Sequence, residues 1–233
     1  EALPSVQAYA DFVAAFMDTL KIKEAVVVGR SMGGAVAMEL ALRHPAKVQA
    51  LGLIATSTKF NLAPELIEAV ILNDIGPVLE TEGLKRIASY VGKGAMPKTM
   101  HEALQRIKDT NPDFTDLDES EWRHLTKMSF RETGSGSVSL TYDAALSRGF
   151  LALDFFKPQP TLWPLFEALK MVPVMVIRGE NSDLLAEATV DEMASRHPRL
   201  ASFRALQEAH APLLGRPKTA EAILGFIEAV GSR

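Results

Sequence analysis

VVVGRSMGGAVAMEL, running from Val26 to Leu40, is the stretch whose reading decides the fold. It opens on three β-branched apolar residues, Val26, Val27 and Val28, the composition of a strand buried on both faces. A helix-period run follows, with Val36, Leu40 and Leu42 set among small residues. Between strand and helix stands G-x-S-x-G: Gly29, Arg30, Ser31, Met32 and Gly33, with Gly34 behind it. That pattern marks a turn so sharp that the serine Oγ stands above the sheet. Gly29 and Gly33 are expected to remove Cβ atoms that would collide where strand and helix pass. Ser31 would sit at a helix N-terminus, where free N–H groups and the macrodipole favour a developing negative charge. The Met32 N–H would be one donor to an oxyanion. With Gly and Ser each at about 7%, a chain of this length should carry roughly 0.08 chance matches, so the motif is informative.

Upstream, Ser5 to Leu20 reads as an amphipathic helix, with Val6, Tyr9, Phe12, Val13, Phe16 and Leu20 near one stripe. Glu24 to Val28 is the strand entering the turn, and the following helix ends near Arg43-His44-Pro45. His44 is expected to cap that helix end or lie on the surface, where a cation is welcome. Val48 to Ile54 (VQALGLI) reads as a second buried strand. Ile67 to Leu72 (IEAVIL) reads as a third, running into Asn73-Asp74-Ile75-Gly76-Pro77. HPAKVQALGLI and APELIEAVILNDIGP look like two versions of one piece, a helix end leading into a strand. Either one of them belongs to an insertion or the sheet carries an extra strand.

From about Val78 to Pro160 the pattern changes to short helical faces: Leu84, Ile87, Tyr90 and Val91; Leu104 and Ile107; Trp122, Leu125 and Met128. Gly92, Gly94, Pro97, Pro112 and Gly134-Ser135-Gly136 punctuate them. The strand pattern resumes with Val172 to Ile177 (VPVMVI), which enters RGENSDLL, Arg178 to Leu185. A helix to about Arg196-His197-Pro198, a short strand near Ala201 to Ala205, the loop holding His210 and a last helix complete the chain. In that last helix Ala222, Ile223, Phe226, Ile227 and Val230 share a face. Alternating strands and helices argue for a mostly parallel α/β sheet.

The 233 residues are 47% hydrophobic and 23% charged with a net charge of −4, enough for one core or a core with a lid. That balance offers no electrostatic case for nucleic acid or an anionic membrane as partner. No stretch approaches the roughly eighteen apolar residues needed to span a bilayer. The absence of cysteine excludes disulfides and thiol chemistry and suits a reducing, cytoplasmic location. Opening at Glu1 with neither methionine nor signal peptide, the sequence reads as one whose own start is missing.

The Ser31 turn, RGENSDLL and EAHAPLL (Glu208 to Leu214), in the order serine, acid, histidine, resemble the α/β-hydrolase family along essentially the whole chain. The resemblance implies a parallel sheet with flanking helices and a helical cap over the active site. Residues 1–77 and 166–233 would be two parts of the core and 78–165 the cap. It makes Ser31 the nucleophile, His210 the general base and Asp183 the acid that orients the imidazole, with the Met32 N–H in the oxyanion hole. Asp74 competes with Asp183, because it too ends a strand and some members take their acid there. Glu180 and Asn181 read as turn formers, His44 and His197 as helix endings, and His101 and His124 as cap residues.

The activity implied is hydrolysis of a small carboxylic ester or lactone through an acyl-serine, with no metal or organic cofactor. Serine at the turn argues against haloalkane dehalogenase and epoxide hydrolase chemistry, which uses a carboxylate nucleophile. Carbon–carbon bond hydrolases share the triad, but their usual tryptophan after the histidine is Ala211 here. A catalytically silent ligand-binding or truncated member is the reading from another class. Phe60, Leu62, Trp122, Phe130, Trp163 and Leu213 are the residues expected to shape the pocket. The family's strands before the first helix, and the His-Gly turn that gives the second oxyanion N–H, find no match upstream of Gly29. The Val26–Val28 strand would then have an open edge, through which the chain is expected to form homo-oligomers.

Overall fold

The computed structural model describes residues 5–30, 32–54, 69–134, 136–144, 147, 153–157 and 159–231. Helix α1 (Val6–Thr19) starts on Ser5, whose Oγ accepts the Ala8 N–H at 3.1 Å and so satisfies a donor left over at the helix start. Its buried side is Ala10, Ala14 and Met17, whereas Phe12, Phe16 and Leu20 of the expected stripe are 60%, 54% and 53% exposed. The reason is its partner: α1 lies on α2 (Met32–Arg43) around the fully buried Leu40, and small side chains let the two axes approach. Arg43 grips both Asp11 carboxylate oxygens at 3.0 and 2.7 Å, and His44 Nε2 lies 2.8 Å from Asp11 Oδ1. The helix-end histidine thus ties α2 back to α1.

Strand β1 (Ala25–Arg30) leads into α2 and pairs in parallel with β2 (Val48–Ile54), Val27 opposite Leu51. β3 (Val70–Asn73) runs beside β2. Both copies of the repeated piece therefore contain strands, the first hydrogen-bonded to β1 and the second, alongside β2, hydrogen-bonded to the later strand 174–179. Residues 55–68 between them lie outside the described residues.

Next come α3 (Thr81–Tyr90), α4 (Met100–Thr110) and α5 (Glu119–Ser129). Thr99 caps α4 by accepting the Glu102 N–H, and Asp118 and Glu121 form a reciprocal capping box on α5. An antiparallel hairpin follows, β4 (Phe130–Glu132) with β5 (Val138–Leu140), turning through the glycines that the sequence offers only as punctuation. Phe130 and Val138 bury their side chains against Ala103 of α4.

After α6 (Trp163–Glu167), β6 (Val174–Gly179) enters between β3 and β7 (Leu200–Ala205), parallel to both. Its first four residues, Val174 to Ile177, are all buried, as a strand covered on both faces requires. α7 (Glu187–Arg196) joins β6 to β7, and α8 (Pro217–Gly231) closes the chain. One core runs from Ala37, Met38 and Ala41 of α2 through Val70, Val174 and Val176 to Val190 and Met193 of α7. No described helix is long and apolar enough to cross a membrane.

Candidate active site

Ser31 itself lies outside the described residues, but its two flanks do not. A Cβ placed on Gly29 would stand 2.2 Å from the Gly33 carbonyl oxygen and 2.6 Å from Gly34 Cα. Only glycine allows the end of β1 to pass so close to the first turn of α2. At Gly33 the expectation is corrected: a Cβ there would meet nothing within 4 Å. It is the backbone of Gly33, not its missing side chain, that the strand approaches. Met32 is the first residue of α2.

His210 stands in the loop after β7, its side chain 18% exposed, and its Nδ1 lies 2.9 Å from Oδ2 of Asp74. Asp74 follows β3 directly, in a left-handed conformation (φ 55°) that aspartate tolerates better than most residues. Its side chain is fully buried. Oδ1 accepts the Gly179 N–H at 2.8 Å, and Oδ2 accepts the Ser182 hydroxyl at 2.6 Å as well as the imidazole. Ser182 Oγ in turn accepts the Leu184 and Leu185 N–H groups at 3.2 and 3.1 Å, which fixes its proton on Asp74. An Nδ1–H donated to a carboxylate leaves Nε2 as the basic nitrogen. The site therefore offers an oriented imidazole with its free lone pair turned away from the acid.

The pairing expected between Asp183 and His210 is not the one the structure makes. Asp183 accepts two hydrogen bonds from one edge of the Arg86 guanidinium of α3, Nη2 at 2.8 Å to Oδ1 and Nε to Oδ2. Gly83, one turn earlier, is the cause: a Cβ there would stand 2.6 Å from the Asp183 carbonyl oxygen, so α3 rests directly on this loop. Burial pushes the Asp183 carboxyl up, but the Arg86 hydrogen bonds and charge outweigh it and hold the group below its ordinary value.

A cavity of about 960 Å³ opens over His210. Its floor is Asn73 and the 210–217 loop; its roof is α3, α4 and α5, with Tyr90, Ile107, Phe114 and Met128 among the lining. Phe130 and Leu213 line it as the sequence suggests. Trp122 instead meets Phe114 edge to face at 6.2 Å, and Trp163 is partly buried at the rim of the core under an exposed Arg196. Phe60 and Leu62 lie outside the described residues. Among the described residues no three His, Cys, Asp or Glu side chains form a group that could hold a metal ion.

Sequence reasoning overlooked four supports of this site. Ser182 holds Asp74, and Asn73 donates from Nδ2 to the Pro212 carbonyl at 3.1 Å. Glu208 is 2% exposed and accepts the Leu213 N–H, while Arg216 grips Glu121 of α5. None of the four is set apart by a local pattern; Glu208, between Gln207 and His210, reads as an ordinary loop carboxylate.

Residues 5–217 match the family described as alpha/beta hydrolase fold. A 3-hydroxybutyrate-oligomer hydrolase of Cupriavidus necator is 28% identical over 223 residues, spanning 91% of this chain and 68% of that protein. A pimeloyl-[acyl-carrier protein] methyl ester esterase of Aromatoleum aromaticum is 30% identical over 217 residues, spanning 92% and 76%. Among solved structures, an alpha/beta hydrolase from Novosphingobium aromaticivorans superposes with a TM-score of 0.68 at 31% identity, covering 98% of this chain and 75% of that one.

Proposed function

This chain belongs to the α/β-hydrolase family, and from that premise we propose that it is a serine hydrolase cleaving a small carboxylic ester or lactone. The observation that carries the reading is the buried Asp74 carboxylate 2.9 Å from His210 Nδ1, facing a cavity of about 960 Å³. Ser31 Oγ attacks the acyl carbon while its proton passes to His210 Nε2. The imidazolium so formed is stabilised by Asp74, and the oxyanion by the Met32 N–H at the start of α2. The proton then goes to the leaving alkoxide, which departs as the alcohol and leaves an acyl-Ser31. Water, deprotonated by His210, attacks that ester; collapse of the second tetrahedral adduct releases the acid and restores Ser31.

The cap of this reading is α3 to α5, which would exclude bulk water from the acyl group. Support for an oxygen ester comes from the relatives: one is named for a methyl ester, another for an oligomer of a hydroxy acid. The test is labelling by a serine-directed fluorophosphonate together with turnover of 4-nitrophenyl butyrate. Label should map to Ser31, and Ser31→Ala should lose both label and turnover. Label retained at full rate in the alanine protein would remove Ser31 from the reaction.

A further inference from the structure

His210 is held at its ring by Asp74, but the loop that carries it is held by something else. Glu208 precedes His210 by two residues, and its Oε2 reaches forward to accept the Leu213 N–H at 2.6 Å. The carboxylate thus spans the loop from one side of the histidine to the other. The backbone of Glu208 is pinned as well: its carbonyl accepts the Asn181 N–H at 2.9 Å, and a Cβ on Gly179 would press on that oxygen at 2.7 Å. Neither contact touches a reacting atom.

A carboxylate this buried needs a compensating charge. Burial pushes the Glu208 carboxyl up, against the Leu213 N–H and the charge of Arg216. Arg216 Nη1 stands 3.7 Å from Glu208 Oε1. The rest of that guanidinium is committed to the helices above the cavity: Nε and Nη2 meet the two Glu121 oxygens at 2.6 and 2.8 Å, and Nη2 also donates to the Asp116 carbonyl. Glu121 is itself the capping-box residue of α5, its Oε2 accepting the Asp118 N–H at 2.9 Å. A fork-on-carboxylate contact fixes direction as well as distance. The first turn of α5 is therefore rigidly tied to the loop of the base.

We propose that Glu208 and Arg216 are positioning residues for the hydrolysis, Glu208 setting the His210 loop and Arg216 locking that setting to Glu121 of the cap. The inference rests on the serine-hydrolase reading above. Its consequence is that seating the cap and aiming the imidazole are a single event. A misplacement of about 1 Å at a reacting group costs on the order of 10²-fold in rate. Loss of the brace should therefore appear in kcat, with substrate affinity little altered.

The experiment is steady-state turnover of 4-nitrophenyl butyrate and the rate of fluorophosphonate labelling at Ser31, on Glu208→Ala, Glu208→Gln, Glu121→Ala and Glu121→Gln. Glu208→Ala should lower kcat and the labelling rate together by on the order of 10²-fold, with KM within about threefold. Glu208→Gln keeps an acceptor for the Leu213 N–H and should recover most of that loss. Glu121 is half-buried at the start of α5, where Glu121→Ala should still fold; it should lose on the order of tenfold in kcat although Glu121 does not touch His210 and meets its loop only through Arg216. Glu121→Gln should fall between the alanine and the wild type. Glu121→Ala with wild-type kcat, or Glu208→Gln no better than Glu208→Ala, overturns the proposal while leaving the serine-hydrolase reading intact. A wild-type chain that neither labels nor turns over overturns both.

Discussion

At the scale of single residues the matter at issue is which carboxylate serves the base. Asp74 and Asp183 both follow the carboxyl end of a parallel strand, and both stand near His210. They differ in what each can give. Asp74 is wholly buried, already accepts the Gly179 N–H and the Ser182 hydroxyl, and points one oxygen at Nδ1. Asp183 has both oxygens on Arg86. Replacing Asp74 by Asn leaves a side chain that can donate to Nδ1, which favours the tautomer with its proton on Nε2, where it blocks attack by Ser31. Asp74→Asn is therefore expected to lower kcat for a nitrophenyl ester by about 10⁴, while Asp183→Asn lowers it by less than about tenfold. The reverse ranking would return the role to Asp183. Sequence reading put Ser31, His210 and both acids at strand ends but chose Asp183 over Asp74, whereas His210 pairs with Asp74. The choice is made by Arg86, 97 residues from Asp183 along the chain, and no local pattern announces a partner at that distance.

Among elements, the helices between β3 and β6 are tied to the sheet by ion pairs as well as by apolar packing. On one side Arg86 of α3 holds Asp183; on the other Arg216 holds Glu121 of α5. The Arg86–Asp183 pair is partly buried, its side chains 19% and 25% exposed. Its loss should cost about 1–2 kcal/mol, between the worth of an exposed pair and that of a fully buried one. Because the folded Asp183 group titrates below its ordinary value, the contribution is fully present above the unfolded pKa of about 3.9 and is lost as the pH falls from there through the folded value. Asp183→Asn should lower Tm at pH 7 by about 2–4 °C per kcal/mol, and the gap to wild type should narrow below about pH 4. A gap that stays constant down to pH 3 would show that the charge pair carries none of the difference. The three helices themselves were legible from their apolar spacing, whereas the caps Thr99 and Asp118 that start two of them were not read. The β4–β5 hairpin was not, because two strands of three residues are too short for alternation to register.

For the whole molecule the sequence disclosed the alternation of strands and helices along the chain, because valine runs ending in turn residues are local signals, but left open which of the segments 48–54 and 67–72 pairs beside β1. It gave the apolar stripe of α1 but not the side that packs inward: contact with α2 selects the small residues Ala10 and Ala14, leaving Phe12 and Phe16 at 60% and 54% exposed. A second open feature accompanies it: β1 has β2 on one side and, among the described residues, no strand on the other. A row of free N–H and C=O groups is a template for another chain, and Val26-Val27-Val28 carries none of the lysines or prolines that protect an edge. Covering Phe12, Phe16 and Leu20 would contribute on the order of 3–5 kcal/mol, comparable with the net stability of a marginal domain. We therefore expect a polypeptide of these 233 residues to self-associate. Sedimentation velocity over a hundredfold concentration range should show the weight-average coefficient rising with concentration. Phe12→Lys with Phe16→Lys, at positions outside the core, should move the distribution toward the monomer without loss of helical circular dichroism. A single monomer boundary at every concentration would mean that neither the β1 edge nor the α1 stripe draws a second copy.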